Sequence, residues 1–126
     1  MPESPKARNY KELQIWQKGM GLAKSVYLLT ETLPAPERYG LISQMRRAAI
    51  SVPSKIAEGQ ARQGSKEFLH FLSHATGSLA ELDTQVLLSI DLGFCEEEDV
   101  APITDQILEI QKMIASIRRK LSGSGL

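Results

Sequence analysis

The sequence lacks several features that would place it in a defined class of protein. It has one cysteine, Cys95, which excludes a disulfide framework within the chain. No apolar run approaches the roughly 18 residues that cross a bilayer, and the first residues lack the apolar segment of a secretory signal. We therefore expect a cytoplasmic protein with no membrane span.

The chain also has no excess of charge of either sign. Lysine plus arginine and aspartate plus glutamate each number 15, so the net charge is zero. A zero net charge argues against strong nonspecific binding to polyanions. The charges are nevertheless clustered, because basic residues gather in the middle of the chain and an acidic block includes Glu96–Asp99.

Helical periodicity dominates what is present. Apolar residues recur at alternating steps of three and four, and no stretch alternates with the period of two that a strand requires. In the first helix, two apolar stripes predict a broad buried face in which Trp16 and Tyr27 fill the core. The periodicity predicts four helices, at about Lys11–Thr32, Pro36–Glu58, Lys66–Leu92 and Asp99–Leu121.

Four helices joined by short loops predict an all-α fold, namely an antiparallel up-down-up-down four-helix bundle with a proline-distorted second helix. Pro53 lies inside that helix, where it removes one hydrogen bond and clashes with the carbonyl of Ala49. We therefore expect a kink or a local widening there. Residues 1–9 are expected to form a flexible tail, residues 10–121 the bundle domain, and residues 122–126 a frayed end.

Four residues are expected to mark helix ends. Ser65 and Asp99 are predicted N-caps of helices 3 and 4, because their side chains can accept hydrogen bonds from free backbone N–H groups. Gly59 and Gly93 are predicted to end helices 2 and 3, because glycine adopts the left-handed conformation that often follows a helix.

Helix 2 carries the strongest polar signal. Arg46 and Arg47 are consecutive, so their side chains point about 100° apart and one of them must lie near the apolar stripe. One hypothesis pairs that arginine with Glu58 or Glu81, in a structural polar network with Ser51 that fixes the helix register. The other hypothesis is a basic strip that binds phosphate, formed by Arg46, Arg47, Lys55, Arg62 and Lys66.

Helix 3 has a second, polar face beside its apolar seam. Gly77 and Ser78 lie on that face, and their small side chains allow another helix to approach closely. That neighbour is either helix 2 or a second subunit.

No constellation of residues indicates catalysis. His70 and His74 have the i, i+4 spacing of paired metal ligands, but the chain has no further histidine and no His-Glu-x-x-His motif. We therefore predict surface or interface histidines and no metal site. The chain also has no glycine-rich phosphate loop after a strand and no nucleophile elbow, so we expect no enzymatic activity and no cofactor.

Several stretches resemble a known family. They are Trp16–Gln17, Glu37–Leu41, Gln44–Ser54, Ile56–Gly59, Ser65–Phe71 and Gly77–Leu82. Together they resemble the four-helix-bundle proteins encoded by intervening sequences (IVS) of bacterial large-subunit ribosomal RNA genes, over residues 9–121 or so. The resemblance implies an antiparallel four-helix bundle that assembles into a homopentameric ring. Relatives include the accessory proteins of diversity-generating retroelements, which are basic pentamers that bind nucleic acid and a reverse transcriptase.

The resemblance extends to the polar residues of helices 2 and 3. Lys55 departs from the family pattern, which commonly has asparagine there, and it adds a positive charge just after the proline. The zero net charge also departs from the basic retroelement proteins. The positions that match the pattern are Arg46, Arg47, Ser51, Pro53, Glu58, Gly59, Arg62, Ser78 and Glu81.

Two hypotheses for the function follow. The first is a non-enzymatic oligomer, for which the resemblance implies a homopentamer, that binds the backbone of RNA or DNA through helix 2 and the loop after it. The alternative is a structural or protein-interaction scaffold that binds no nucleic acid and uses its arginines in internal pairs. Salt separates the two, because the first predicts a nucleic-acid affinity that falls steeply as salt rises, whereas the second predicts no such binding.

Overall fold

The computed structural model describes residues 9–123 of the chain. Two short 3₁₀ turns, Tyr10–Glu12 and Ala35–Glu37, precede the first two helices. No strand occurs in the described residues, so the prediction of an all-α fold is confirmed. None of these helices combines the length and the apolar character that crossing a bilayer requires. The four helices are α1 (Gln14–Thr30), α2 (Leu41–Ala61), α3 (Ser65–Asp91) and α4 (Glu97–Gly123).

The two ends of the chain lie largely outside the part that the structure describes. Residues 1–8 and 124–126 are not among the described residues. The flexible tail and the frayed end therefore stay predictions.

The four helices pack so that each contacts two neighbours. α1 contacts α2 and α4, and α3 contacts the same two helices, whereas neither diagonal pair is in contact within residues 9–123. Arg46 reaches Thr30, and Gly19 faces Pro53, so the contacts run in opposite orders along α1 and α2, as in antiparallel neighbours. The complete up-down-up-down order and the bend at Pro53 stay predictions.

One apolar stripe from each helix contributes to the core. In α3 the buried residues include Leu72, Leu79 and Val86, and in α4 they include Ile103 and Ile110, as the heptad-like spacing predicts. Burial of these side chains removes apolar surface from water, which is the main favourable term in folding.

The core-facing side of α1 is narrower than predicted. Ile15, Leu22 and Val26 are buried, but Tyr27 on the neighbouring stripe is 38% exposed. The prediction that Tyr27 fills the core is therefore wrong. Trp16 is half-buried and packs against the core. Among the helices of the described residues, α1 contacts α2 and α4 but not α3, so Tyr27 lies at the edge of the buried face of α1.

Gly93 ends α3 as predicted. Its φ is +80°, in the left-handed region that favours glycine. The N–H groups of Gly93 and Phe94 donate to the carbonyls of Ile90 and Ser89, each at 2.9 Å. These two hydrogen bonds run from residues just beyond the helix to carbonyl groups of its last turn, which would otherwise have no partner.

Other helix ends differ from the predictions. Ser65 is the first residue of α3, and a glycine without a side-chain acceptor occupies the cap position. Asp99 lies within the first turn of α4, where its carboxylate accepts a hydrogen bond from the N–H of Glu96 at 2.9 Å. α2 begins at Leu41 rather than at Pro36, because the chain first makes a separate 3₁₀ turn.

Gly59 is not the end of α2, which continues to Ala61. A Cβ atom at Gly59 would lie 2.8 Å from Cβ of Phe71 and 3.0 Å from Cδ1 of Phe68. The missing side chain therefore allows the last turns of α2 to approach α3 closely.

Candidate nucleic-acid interface

An open groove lies where the first half of α2 meets α1 and the turn before α2. Its volume is about 520 Å³. Three arginines and two tyrosines line it, and none of the described lining residues is acidic. The nearby carboxylates of Glu31 and Glu37 are not part of the lining. The residues that line this arginine groove are Tyr27, Arg38, Tyr39, Ile42, Ser43, Arg46, Arg47, Ile50 and Ser51.

Arg46 is held in the groove by two residues of α1. Its Nε–H donates to the Thr30 hydroxyl at 2.8 Å, and that hydroxyl donates to the carbonyl of Tyr27 at 3.0 Å. The guanidinium carbon lies 4.4 Å from the centroid of the Tyr27 ring, within the range of a cation–π contact. Both partners are neutral, so they orient the Arg46 guanidinium while its positive charge is not neutralised by a carboxylate.

The carboxylate partners expected for this arginine lie elsewhere. Glu58 is twelve residues further along α2, which is about 18 Å of helix, and its carboxylate pairs with Lys55 at 3.2 Å. Glu81 is exposed on α3. In the described part of the chain, neither glutamate forms an ion pair with Arg46 or Arg47. The half-buried Arg46 therefore contacts a hydroxyl and a ring, and not one of the two carboxylates that the ion-pair hypothesis names.

Arg38 and Arg47 complete the positive charge of the groove. Both side chains are exposed, and neither forms an ion pair with a carboxylate among residues 9–123. Each guanidinium has five N–H donors and no acceptor, so these groups are free to bind an anion. The predicted strip left out Arg38, because a continuous helix from Pro36 does not contain the separate turn that the structure shows before α2.

Tyr39 is the most exposed large side chain beside the groove. It is 91% exposed and lies in the turn between Arg38 and Gly40. Tyr27, in contrast, already carries the Arg46 guanidinium on its ring. The sequence contains no periodic signal for Tyr39, because a turn residue belongs to neither helical stripe.

The remaining residues of the predicted basic strip lie near the other end of α2. Lys55 pairs with Glu58, and the Arg62 guanidinium lies 5.1 Å from the centroid of the Phe71 ring. Lys66 is exposed at the start of α3. Arg62 follows Arg46 by sixteen residues, or about 24 Å of helix. Of the predicted strip, Arg46 and Arg47 therefore line the arginine groove, whereas Lys55, Arg62 and Lys66 are not among its lining residues.

Ser51 and Ser78 join α2 to α3 beneath the groove. Their hydroxyl oxygens are 2.8 Å apart, and Ser78 is buried. Of the two small residues on the second face of α3, Ser78 thus meets helix 2. A Cβ atom built on Gly77 would meet nothing within 4 Å.

The histidines and the cysteine do not form a centre with neighbouring ligands. The Nε2 atoms of His70 and His74 are 3.3 Å apart, on exposed side chains. No group of three or more histidine, cysteine or acidic side chains that could hold a metal ion occurs in the described residues. Burial raises the pKa of the Cys95 thiol, against a hydrogen bond with Ser89 that lowers it. A raised pKa disfavours the thiolate that nucleophilic chemistry requires.

Comparison with known proteins identifies the family. Residues 11–116 match the family model described as 23S rRNA-intervening sequence protein. This span is most of the 126 residues, and the chain belongs to that family. The family expected from the resemblance is thereby confirmed. No curated protein matches the chain.

Proposed function

We propose that this member of the 23S rRNA-intervening sequence protein family is a non-enzymatic, cytoplasmic oligomer that binds the backbone of RNA or DNA in its arginine groove. One observation carries the proposal. Arg38, Arg46 and Arg47 share a groove whose described lining has no acidic residue. Guanidinium groups bind phosphate through paired N–H donors, and phosphate contacts supply most of the nonspecific affinity for nucleic acids.

The structure supports different roles for the three arginines. Arg46 is fixed by Thr30 and Tyr27, so little side-chain entropy is left for a ligand to remove. Arg47 and Arg38 are exposed and adjust to the position of the phosphates. Among the strip residues outside the groove, the charge of Lys55 is paired with Glu58. We therefore expect Lys55, Arg62 and Lys66 to contribute less than the three arginines of the groove.

The number of arginines sets the expected salt dependence. Three phosphate contacts per subunit predict a slope of about −2 to −3 in a plot of log affinity against log salt concentration. The same slope corresponds to a loss of about 16- to 64-fold in affinity between roughly 50 and 200 mM salt. A protein with this pattern would bind nucleic acid tightly only at low or moderate ionic strength.

The test is fluorescence anisotropy of a labelled oligonucleotide at several salt concentrations. Arg47→Ala should weaken binding and reduce the magnitude of the slope by about 0.7 for a single strand or 0.9 for a duplex. Arg119→Ala is a matched control, because Arg119 is an exposed arginine on α4, away from the groove. Absence of binding at low salt, or equal effects of the two substitutions, would refute the proposal.

A scaffold is the second candidate function, and exposed apolar side chains favour it. Leu87, Leu88 and Leu92 are half-exposed near the end of α3, and Leu28 is 61% exposed on α1. Exposed apolar residues that lie side by side often mark protein contacts, and Leu88 and Leu92 are neighbours one helical turn apart. Self-association, as the homopentamer implied by the family resemblance and its retroelement relatives, is part of the proposal. Light scattering tests it, because a monomeric mass at high concentration would exclude the oligomer without excluding the groove.

A further inference from the structure

We infer that the arginine groove takes single-stranded nucleic acid in preference to a duplex, with an unpaired base stacked on Tyr39. This inference rests on the proposed function and adds the class of nucleic acid. The observation behind it is the juxtaposition of an exposed aromatic ring with unpaired arginines. Tyr39 is 91% exposed, and Arg38 precedes it directly in the same turn.

The ring of Tyr39 is available, whereas that of Tyr27 is already used. Tyr27 carries the Arg46 guanidinium at 4.4 Å from its ring centroid. No ring or cation contact within the described residues involves Tyr39. Because the turn leaves this aromatic side chain exposed to solvent, a ligand that covers the ring would bury apolar surface that the fold itself does not bury.

A single strand is the ligand that uses both parts of this surface. Proteins that bind single strands combine a cationic groove along the backbone with aromatic side chains on which bases stack. In a duplex the bases are already stacked and paired, so a surface ring reaches them only if the pairing opens. The half-exposed Ile50 adds an apolar contact on the groove lining. Phosphates alone do not distinguish the two forms, but Tyr39 does.

The experiment compares a labelled single strand with a hairpin duplex of the same length, by anisotropy at one low salt concentration. We expect the wild-type protein to prefer the single strand. Tyr39→Ala should weaken single-strand binding by about 5- to 150-fold, leave duplex binding nearly unchanged, and keep the salt slope. Tyr39→Trp should retain the affinity, and its added indole fluorescence should be quenched when the strand binds. Leu108→Ala is the control, because it removes a half-exposed apolar side chain from α4, and Leu108 does not line the groove.

The outcomes separate this inference from the proposed function. Equal binding of both forms, with no specific effect of Tyr39→Ala, would overturn the inference while leaving salt-dependent backbone binding intact. A wild-type protein that binds neither form would overturn both. A lower mass of Tyr39→Ala by light scattering would place Tyr39 in a contact between copies of the chain, and would also overturn the inference. Loss of single-strand affinity at unchanged mass would support it.

Discussion

Replacing Gly59 by alanine should destabilise the protein, although alanine is the better helix former. The new Cβ would lie 2.8 Å from Cβ of Phe71 and 3.0 Å from Cδ1 of Phe68. Carbon atoms in favourable contact are about 3.5–4.0 Å apart. Cβ of Phe71 is bonded directly to the backbone and cannot rotate away. The last turns of α2 and the start of α3 must therefore separate by roughly 1 Å.

Two opposing effects set the size of the change. Alanine in place of glycine stabilises a helix interior by about 1 kcal/mol. Forcing an extra methyl group into a close contact costs about 1–3 kcal/mol. The difference is a net loss of up to about 2 kcal/mol in the free energy of unfolding, which corresponds to a fall of several degrees, roughly 2–8 °C per kcal/mol, in Tm.

The chain supplies a matched control for this prediction. A Cβ on Gly77 would meet nothing within 4 Å, so Gly77→Ala changes only the helix propensity and should stabilise by about 0.5–1 kcal/mol. Urea unfolding followed by circular dichroism measures both variants, at one protein concentration because self-association would shift the midpoint. If Gly59→Ala is as stable as Gly77→Ala, the close approach of α2 and α3 does not govern this position.

Three further predictions concern single residues. Arg46→Ala should lower the free energy of unfolding, measured by chemical denaturation, by about 1–2 kcal/mol, because it loses the Thr30 hydrogen bond and the contact with the Tyr27 ring. Arg47→Ala should change it by no more than about 0.5 kcal/mol. Equal losses for the two variants would contradict this prediction. Gly93→Ala should lower the free energy of unfolding by about 1 kcal/mol, because alanine is strained at a φ of +80°. A Cβ at this position would meet no other atom, so backbone strain is the only cause expected. An unchanged Tm would show that alanine is not strained there. Burial raises the pKa of Cys95, so the native state keeps the thiol proton to higher pH than the unfolded chain. Stability should therefore fall as pH rises past about 8.5, and Cys95→Ala should reduce that fall.

Periodicity was sufficient to predict the helices and most of the core. The heptad-like spacing in α3 and α4 identifies side chains that are buried, because a helix can present only one stripe to its neighbours. In α1 two stripes had similar apolar character, and the pattern could not rank them. Burial of Val26 and exposure of Tyr27 depend on which neighbours α1 has, and that is a property of the whole bundle.

The candidate site was predicted only in part, for a related reason. Arg46 and Arg47 were identified from their position beside an apolar stripe. Their expected carboxylate partners were chosen by charge, whereas the partner in the structure is Thr30, a residue of another helix with no charge. Arg38 and Tyr39 became part of the site because the chain makes a 3₁₀ turn before α2, and local sequence preferences do not distinguish that turn from a first helical turn.

The zero net charge of the chain does not decide whether it binds an anion. Charges in water act over about 8 Å at physiological salt, whereas a helix with its side chains is about 10 Å across. The acidic block at Glu96–Asp99 lies at the start of α4, and none of its residues lines the arginine groove. The charged groups that face a bound anion are therefore the arginines of the lining, while the carboxylates of Glu31 and Glu37 lie outside it. A chain that is neutral as a whole can thus present a cationic groove, provided that no carboxylate lines it.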